Sequence, residues 1–292
     1  MSDRAADDYC AGRVRRHDRD RFLTALFAPA DRRPGLIAVY AFNLEIAGVR
    51  ETVSEPVIGL IRLQWWRDAL DGIFGGSPPA HQVAGRLAVA VRRHGLSRAC
   101  IEAAIDARAG DLEGHQPPTV EALEAYAAET SAGISQLALE VLGAGDGDAA
   151  RAGRHVGIAW ALAGLLRAVP AHARQRRVYL PVSSCRAAGL DVDSLMAPVP
   201  GSGPSGLPGL PDAVAEIAAL ARRHLAAARD LGRRVPRAAV PALLPATLAG
   251  VYLDRLEKSA FDPFAEESRV HAASAGPAAM ARLAVNGLLG RY

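Results

Sequence analysis

The sequence predicts an all-α fold, and three observations lead there. Apolar residues recur at three- and four-residue spacing along nearly every long segment. Runs of β-branched residues are few, and no stretch alternates apolar and polar residues as a half-buried strand does. Half of the 292 residues are hydrophobic, which allows a sizeable core in one domain.

In chain order, residues 1–17 read as an N-terminal extension and 18–292 as one helical domain. Helices are predicted over 18–27, 32–52, 56–74, 80–94, 97–112, 119–142, 147–170, 209–231, 237–258 and 266–288. Pro29 and Pro34 flank the entry to the second, Gly75-Gly-Ser-Pro-Pro79 closes the third, and Gly143-Ala-Gly-Asp-Gly147 separates two long ones. Thr119 stands before Val-Glu-Ala, where its hydroxyl can accept from the free amides that begin the helix carrying Tyr126. The stretch from Ala197 to Pro211 is built from proline, glycine and serine with almost nothing to bury, so it reads as a mobile surface loop at 197–211. The amphipathic helices on either side of it need each other's apolar faces, which favours a loop inside one domain over a linker.

Composition excludes several roles. Net charge is +3 with a pI near 9.0, and Lys258 is the single lysine. The arginines are not clustered on one recognisable reading module, so no nucleic-acid role is expected. Cys10, Cys100 and Cys185 are far apart and lack CxxC or Cys/His spacing, which supports neither a disulfide framework nor a zinc site. The acidic start, Met-Ser-Asp-Arg-Ala-Ala-Asp-Asp, has no apolar core and reads as neither a secretory signal nor a transit peptide, so a cytoplasmic location is expected. The apolar stretches Val156–Val169 and Ala238–Leu253 are too short or too interrupted to span a bilayer. A peripheral contact at the inner face of the membrane stays open.

Two segments carry the chemistry. Gly164-Leu-Leu-Arg-Ala-Val-Pro-Ala-His172 precedes Arg-Gln-Arg-Arg-Val-Tyr-Leu-Pro181, and Tyr40-Ala-Phe-Asn-Leu-Glu-Ile-Ala-Gly-Val-Arg-Glu51 lies earlier. With Leu63-Gln-Trp-Trp-Arg-Asp-Ala-Leu70, Asp106 to Asp111 and Tyr126-Ala-Ala-Glu-Thr-Ser-Ala-Gly133, they resemble the squalene/phytoene synthase family over about residues 15–260. That resemblance implies an isoprenoid-synthase helical bundle around a central cavity. In the family, aspartates four residues apart on each of two facing helices hold magnesium, which draws diphosphate from an allylic carbon; such pairs sit about 6 Å apart on one helical face.

The metal-binding acids do not follow the family pattern. Ala47 stands at the first aspartate of one pair, leaving Glu51 alone beside Arg50, and Leu44 replaces a diphosphate-binding arginine. In the second region Ala168 and His172 fill both aspartate positions, Gly164 replaces an asparagine and Ala161 a glutamine, whereas Arg167 and Tyr179 match. The residues the resemblance assigns to a vestigial diphosphate or prenyl pocket are Tyr40, Phe42, Glu51, Tyr126, Arg167, His172, Arg177 and Tyr179. No catalytic residue, metal or other cofactor is assigned.

Blander readings stand beside these. Trp65 and Trp66 read as core packing, Asp106, Asp111 and Glu113 as solvated charges, and His172 as a helix-end histidine favoured by the negative pole there. Arg174, Arg176 and Arg177 form either a solvated face or a contact for anionic lipid or diphosphate. The phrases Ala-Phe-Asn-x-Glu, Val-Ser-Glu-Pro-x-Ile-Gly-Leu and Leu-Arg-Ala-x-Pro resemble a branch of the family that includes a mitochondrial complex I assembly factor and also lacks the paired aspartates.

Three functions therefore compete. The first is a catalytically inactive family member that binds or assembles a respiratory-complex subunit, with an apolar pocket able to take a prenyl lipid or quinone tail. The second is an active prenyltransferase joining two prenyl diphosphates head to head, with magnesium on Glu51, Asp106 or Asp111. The third is a scaffold without a ligand, whose cavity is filled.

Overall fold

The computed structural model describes residues 3–197, 206–265 and 276–292, and among these the regular structure is entirely helical. The order is α1 (Asp3–His17), α2 (Arg19–Ala25), α3 (Arg33–Ala47), α4 (Pro56–Phe74), α5 (Gln82–His94), α6 (Arg98–Asp106), α7 (Ala109–Glu113), α8 (Val120–Ala127), α9 (Gly133–Val141) and α10 (Gly147–Arg174). After these come α11 (Val182–Ala187), α12 (Val192–Met196), α13 (Leu210–Asp230), α14 (Val240–Leu243), α15 (Pro245–Lys258) and α16 (Pro277–Leu289).

Two helices organise the bundle. In α3 every residue from Leu36 to Asn43 is buried, so this stretch is enclosed by α1, α5 and α9 and has no solvent face. The second is α10, which packs on α13, α15, α9 and the π-helical turn Ala128–Ala132 between α8 and α9. Gly157 makes the last contact: a Cβ there would lie 2.6 Å from Ala132 Cα, so only glycine lets the two backbones approach this closely. By length and composition α10 is the one described helix that could cross a membrane, yet half of its apolar window is buried in the bundle. That is the pattern of a core helix.

Several boundaries depart from the sequence reading. Residues 3–17, expected as an extension, form α1 and bury Cys10 and Val14 against the core. The helix predicted over 32–52 stops at Ala47, followed by a 3-10 turn at Arg50–Thr52 that carries Glu51. The helix over 97–112 divides at Ala107 and Arg108, and that over 237–258 divides where Pro241 and Pro245 cannot donate to the preceding turns. By contrast, α10 continues past Pro170 to Arg174. Of the predicted loop at 197–211, residues 198–205 lie outside the described residues, as do 266–275 of the last predicted helix. The Thr119 cap forms as expected, its hydroxyl accepting from Ala122 N at 3.3 Å.

Candidate functional site

The eight residues expected in one pocket occupy separate places. Tyr126, His172, Arg177 and Tyr179 come together where the C-terminal end of α10 and the segment after it meet α7 and α8. Asp111 is their centre. Its carboxylate accepts from the Tyr126 hydroxyl at 2.7 Å, the Tyr179 hydroxyl at 3.4 Å and the Arg108 guanidinium at 3.2 Å. Asp111 is buried, so the expectation of a solvated charge fails for it: two phenols and a guanidinium supply the hydrogen bonds that water would. Arg108 also reaches the Thr130 carbonyl in the π turn at 3.5 Å, which fixes the guanidinium and with it the carboxylate. Asp106 is the exposed partner of Arg67 at 2.7 Å on α4 and takes no part.

The electrostatics of this cluster are set by burial. Burial, then the Asp111 carboxylate, pushes the Tyr179 hydroxyl above its ordinary range, and the same pair of causes raises Tyr126, opposed by Arg108. His172 packs on the Tyr179 ring with centroids 4.7 Å apart. Burial first, and the Arg177 charge second, pull its imidazole down to about 4, against the opposing Asp111. The helix-end reading of His172 is thereby corrected: the pole of α10 favours a cation, but desolvation and Arg177 outweigh it and keep the ring neutral. Arg174 and Arg176 are exposed, whereas Arg177 lines the cleft.

Beside these groups opens a cleft of about 240 Å³, lined by Asp111, Gly114, Pro117, Tyr126, Arg177 and Tyr179. It is below the roughly 300–1,000 Å³ of ordinary small-molecule pockets, large enough for a small anion beside Arg177 and too small for a long hydrocarbon chain. Replacing Asp111 by Asn keeps its shape but removes the charge that Arg108 faces. The expected cost is about 2 kcal/mol in urea unfolding, and an unchanged midpoint would show that the cluster does not order this corner.

Arg167 belongs to a second cluster, one that sequence reasoning missed. Asp20 on α2 accepts from the Tyr252 hydroxyl at 2.6 Å and from Arg167 at 3.3 Å, and the Arg167 guanidinium lies 4.3 Å over the Tyr252 ring. Next to it Arg21 is buried, paired with Asp18 at 3.2 Å and reaching Ser131 Oγ at 3.4 Å. Arg21 also lies over the rings of Tyr40 at 5.6 Å and Trp160 at 5.8 Å. The space between the helices bearing Tyr40 and Arg167 thus holds charged side chains. A prenyl or quinone tail placed there would share it with ion pairs whose desolvation is costly. The only hint in the sequence was the charge run Asp18-Arg-Asp-Arg21 at the start of α2.

The remaining predicted residues lie elsewhere. Tyr40 is fully enclosed, and burial pushes its hydroxyl up to about 12. Phe42 packs edge-on against Trp66 with centroids 5.2 Å apart. Trp66 is buried as expected, but Trp65 is 39% exposed, because α4 presents one face to solvent at this position. Glu51 is exposed in its 3-10 turn, beyond the end of α3.

The donor set does not fit the family's magnesium. Ala47 and Ala168 bring no oxygen ligand, His172 brings one neutral nitrogen, and Asp111 is already taken up by Arg108 and two phenols. Among the described residues no group of three or more His, Cys, Asp or Glu side chains gathers as a metal site would require.

Comparison with known proteins places these features. The chain is 35% identical over 258 residues to "NADH dehydrogenase (ubiquinone) complex I, assembly factor 6" of Bos taurus, covering 88% of this chain and 76% of that protein. It is 26% identical over 218 residues to presqualene diphosphate synthase of Rhodopseudomonas palustris, covering 73% and 74% of the two chains. The crystal structure of squalene synthase HpnC from Alicyclobacillus acidocaldarius superposes with a TM-score of 0.77 at 20% identity, over 89% of this chain and 96% of that one, which shows the isoprenoid-synthase fold. The squalene/phytoene synthase model matches residues 14–274, and the chain belongs to the squalene/phytoene synthase family.

Proposed function

We propose that this protein is a non-catalytic member of its family that serves as a binding or assembly factor for a respiratory complex of the complex I type, at the inner face of the membrane. One observation carries the reading: where the family places a metal-binding carboxylate on α10, this chain has His172, half-buried and with its imidazole pulled down to about 4. The neighbouring acid, Asp111, has its lone pairs engaged by Arg108, Tyr126 and Tyr179. A phosphoryl-bound magnesium cluster needs several free oxygen ligands, and the one carboxylate this corner adds to Asp111 is the exposed Glu113, beside His115. Similarity to complex I assembly factor 6 over most of both chains supports the partner.

The test has two arms. Purified protein with magnesium and farnesyl or geranylgeranyl diphosphate is expected to release no diphosphate, and deletion of its gene is expected to lower assembled complex I and NADH:quinone activity in membranes. Turnover that Glu51→Ala or Asp111→Asn abolishes would instead establish a prenyltransferase. The similarity to presqualene diphosphate synthase keeps that competing reading in view.

A further inference from the structure

Helix α16 carries its polarity the wrong way round. Ala279 and Leu283 face the bundle, and Phe27 of the α2–α3 corner presses on Gly287, where a Cβ would lie 2.5 Å from its ring. A surface helix docked by one face should present polar residues on the other. Here the outward positions are Val285, 53% exposed, Leu288, 70%, and Leu289, 57%, and Leu26, beside Phe27, adds another at 46%. No other described large hydrophobic side chain is as exposed as Leu288; Ile61 on α4, at 64%, comes next.

The charges on the helix segment itself have one sign. From Pro277 to Tyr292 the sequence has Arg282 and Arg291 and no acid. Arg282 is paired with Asp254 at 3.1 Å on α15. Arg291 is exposed, and exposed Arg237 donates to the Leu288 carbonyl at 2.7 Å, holding its guanidinium at the rim of the apolar face. Two copies joined across a two-fold axis would bring these arginines together with no acid on the helix to answer them. Leucines at the centre and guanidiniums at the rim match a lipid bilayer instead: the apolar side chains enter the acyl boundary while the arginines meet phosphate headgroups.

We infer that the outward face of α16, with Leu26, docks the protein on an anionic membrane surface. This gives a surface to the membrane placement proposed above and does not depend on the assembly role, since purified protein and vesicles suffice for the test. Full-length protein is sedimented with vesicles of phosphatidylcholine alone and of phosphatidylcholine and phosphatidylglycerol in equal parts. Binding is expected to the anionic vesicles only, and to weaken as salt screens the headgroups. The variant Leu288→Glu/Leu289→Glu is expected to lower the affinity about tenfold or more, and Arg237→Gln/Arg291→Gln to lower it on anionic vesicles. Both alter exposed side chains, and unchanged melting curves would show that the fold is kept. The inference is overturned by an absence of vesicle binding or by binding that Leu288→Glu/Leu289→Glu leaves intact. It is equally overturned if the loss follows Ile61→Glu on α4, or if the α16 variant abolishes a dimer in sedimentation velocity without any vesicle binding.

Discussion

Replacing Asp20 by alanine is expected to destabilise the fold by about 3 kcal/mol. Its carboxylate is the shared acceptor of the Tyr252 hydroxyl and the Arg167 guanidinium, and its side chain is only 9% exposed. The variant leaves a buried phenol and a partly buried cation without a partner, and that unmet desolvation exceeds what the ion pair itself contributes. Tyr252→Phe removes one donor and leaves the pair, so its cost is expected nearer 1 kcal/mol. Adding Arg167→Met to Asp20→Ala removes the stranded charge and is expected to recover part of the loss. Urea unfolding of the single and double variants measures this coupling, and a single-variant loss below about 1 kcal/mol would mean that water replaces the carboxylate.

The second large effect is on pH. His172 is held down to about 4 in the folded protein, by burial first and by Arg177 second, whereas an unfolded chain has its imidazoles near about 6.5. Between those values the unfolded state binds the proton and the folded state does not, so stability rises with pH across this window. It is complete above the ordinary imidazole range and is lost as pH falls toward 4. The gap corresponds to about 3 kcal/mol. Burial also lowers His94, His155 and His224, so His172→Phe is expected to flatten the acid slope without abolishing it. Urea midpoints at neutral and mildly acidic pH compare the slopes; equal slopes in wild type and variant would refute a half-buried neutral ring.

The helical class and the order of long helices were legible because amphipathic periodicity and Gly/Pro punctuation act over a few neighbouring residues. The Thr119 cap was legible for the same reason, since donor and acceptor are three residues apart. The end of α3 was not. Its apolar residues continue to Val49 and Val53, but the chain leaves the helix at Gly48 and packs those valines from a turn and an extended segment. The second cluster escaped because Asp20 meets Tyr252 across 232 residues of sequence, and nothing local to either residue announces the other. His155 and His224 show the same limit: their Nδ1 atoms lie 2.9 Å apart, with Glu124 beside His224 at 3.2 Å, joining α10, α13 and α8.

The sequence by itself determined the family and the all-helical frame, and it leaves Ala47, Ala168 and His172 without a side-chain oxygen. Only the tertiary structure decided the state of what remained. Burial turned Asp111 from a surface charge into the acceptor for three donors, made His172 a neutral base, and placed ion pairs from α2 between Tyr40 and Arg167. The reason is physical: desolvation and pairing depend on which distant groups surround a side chain, and local spacing does not carry that information.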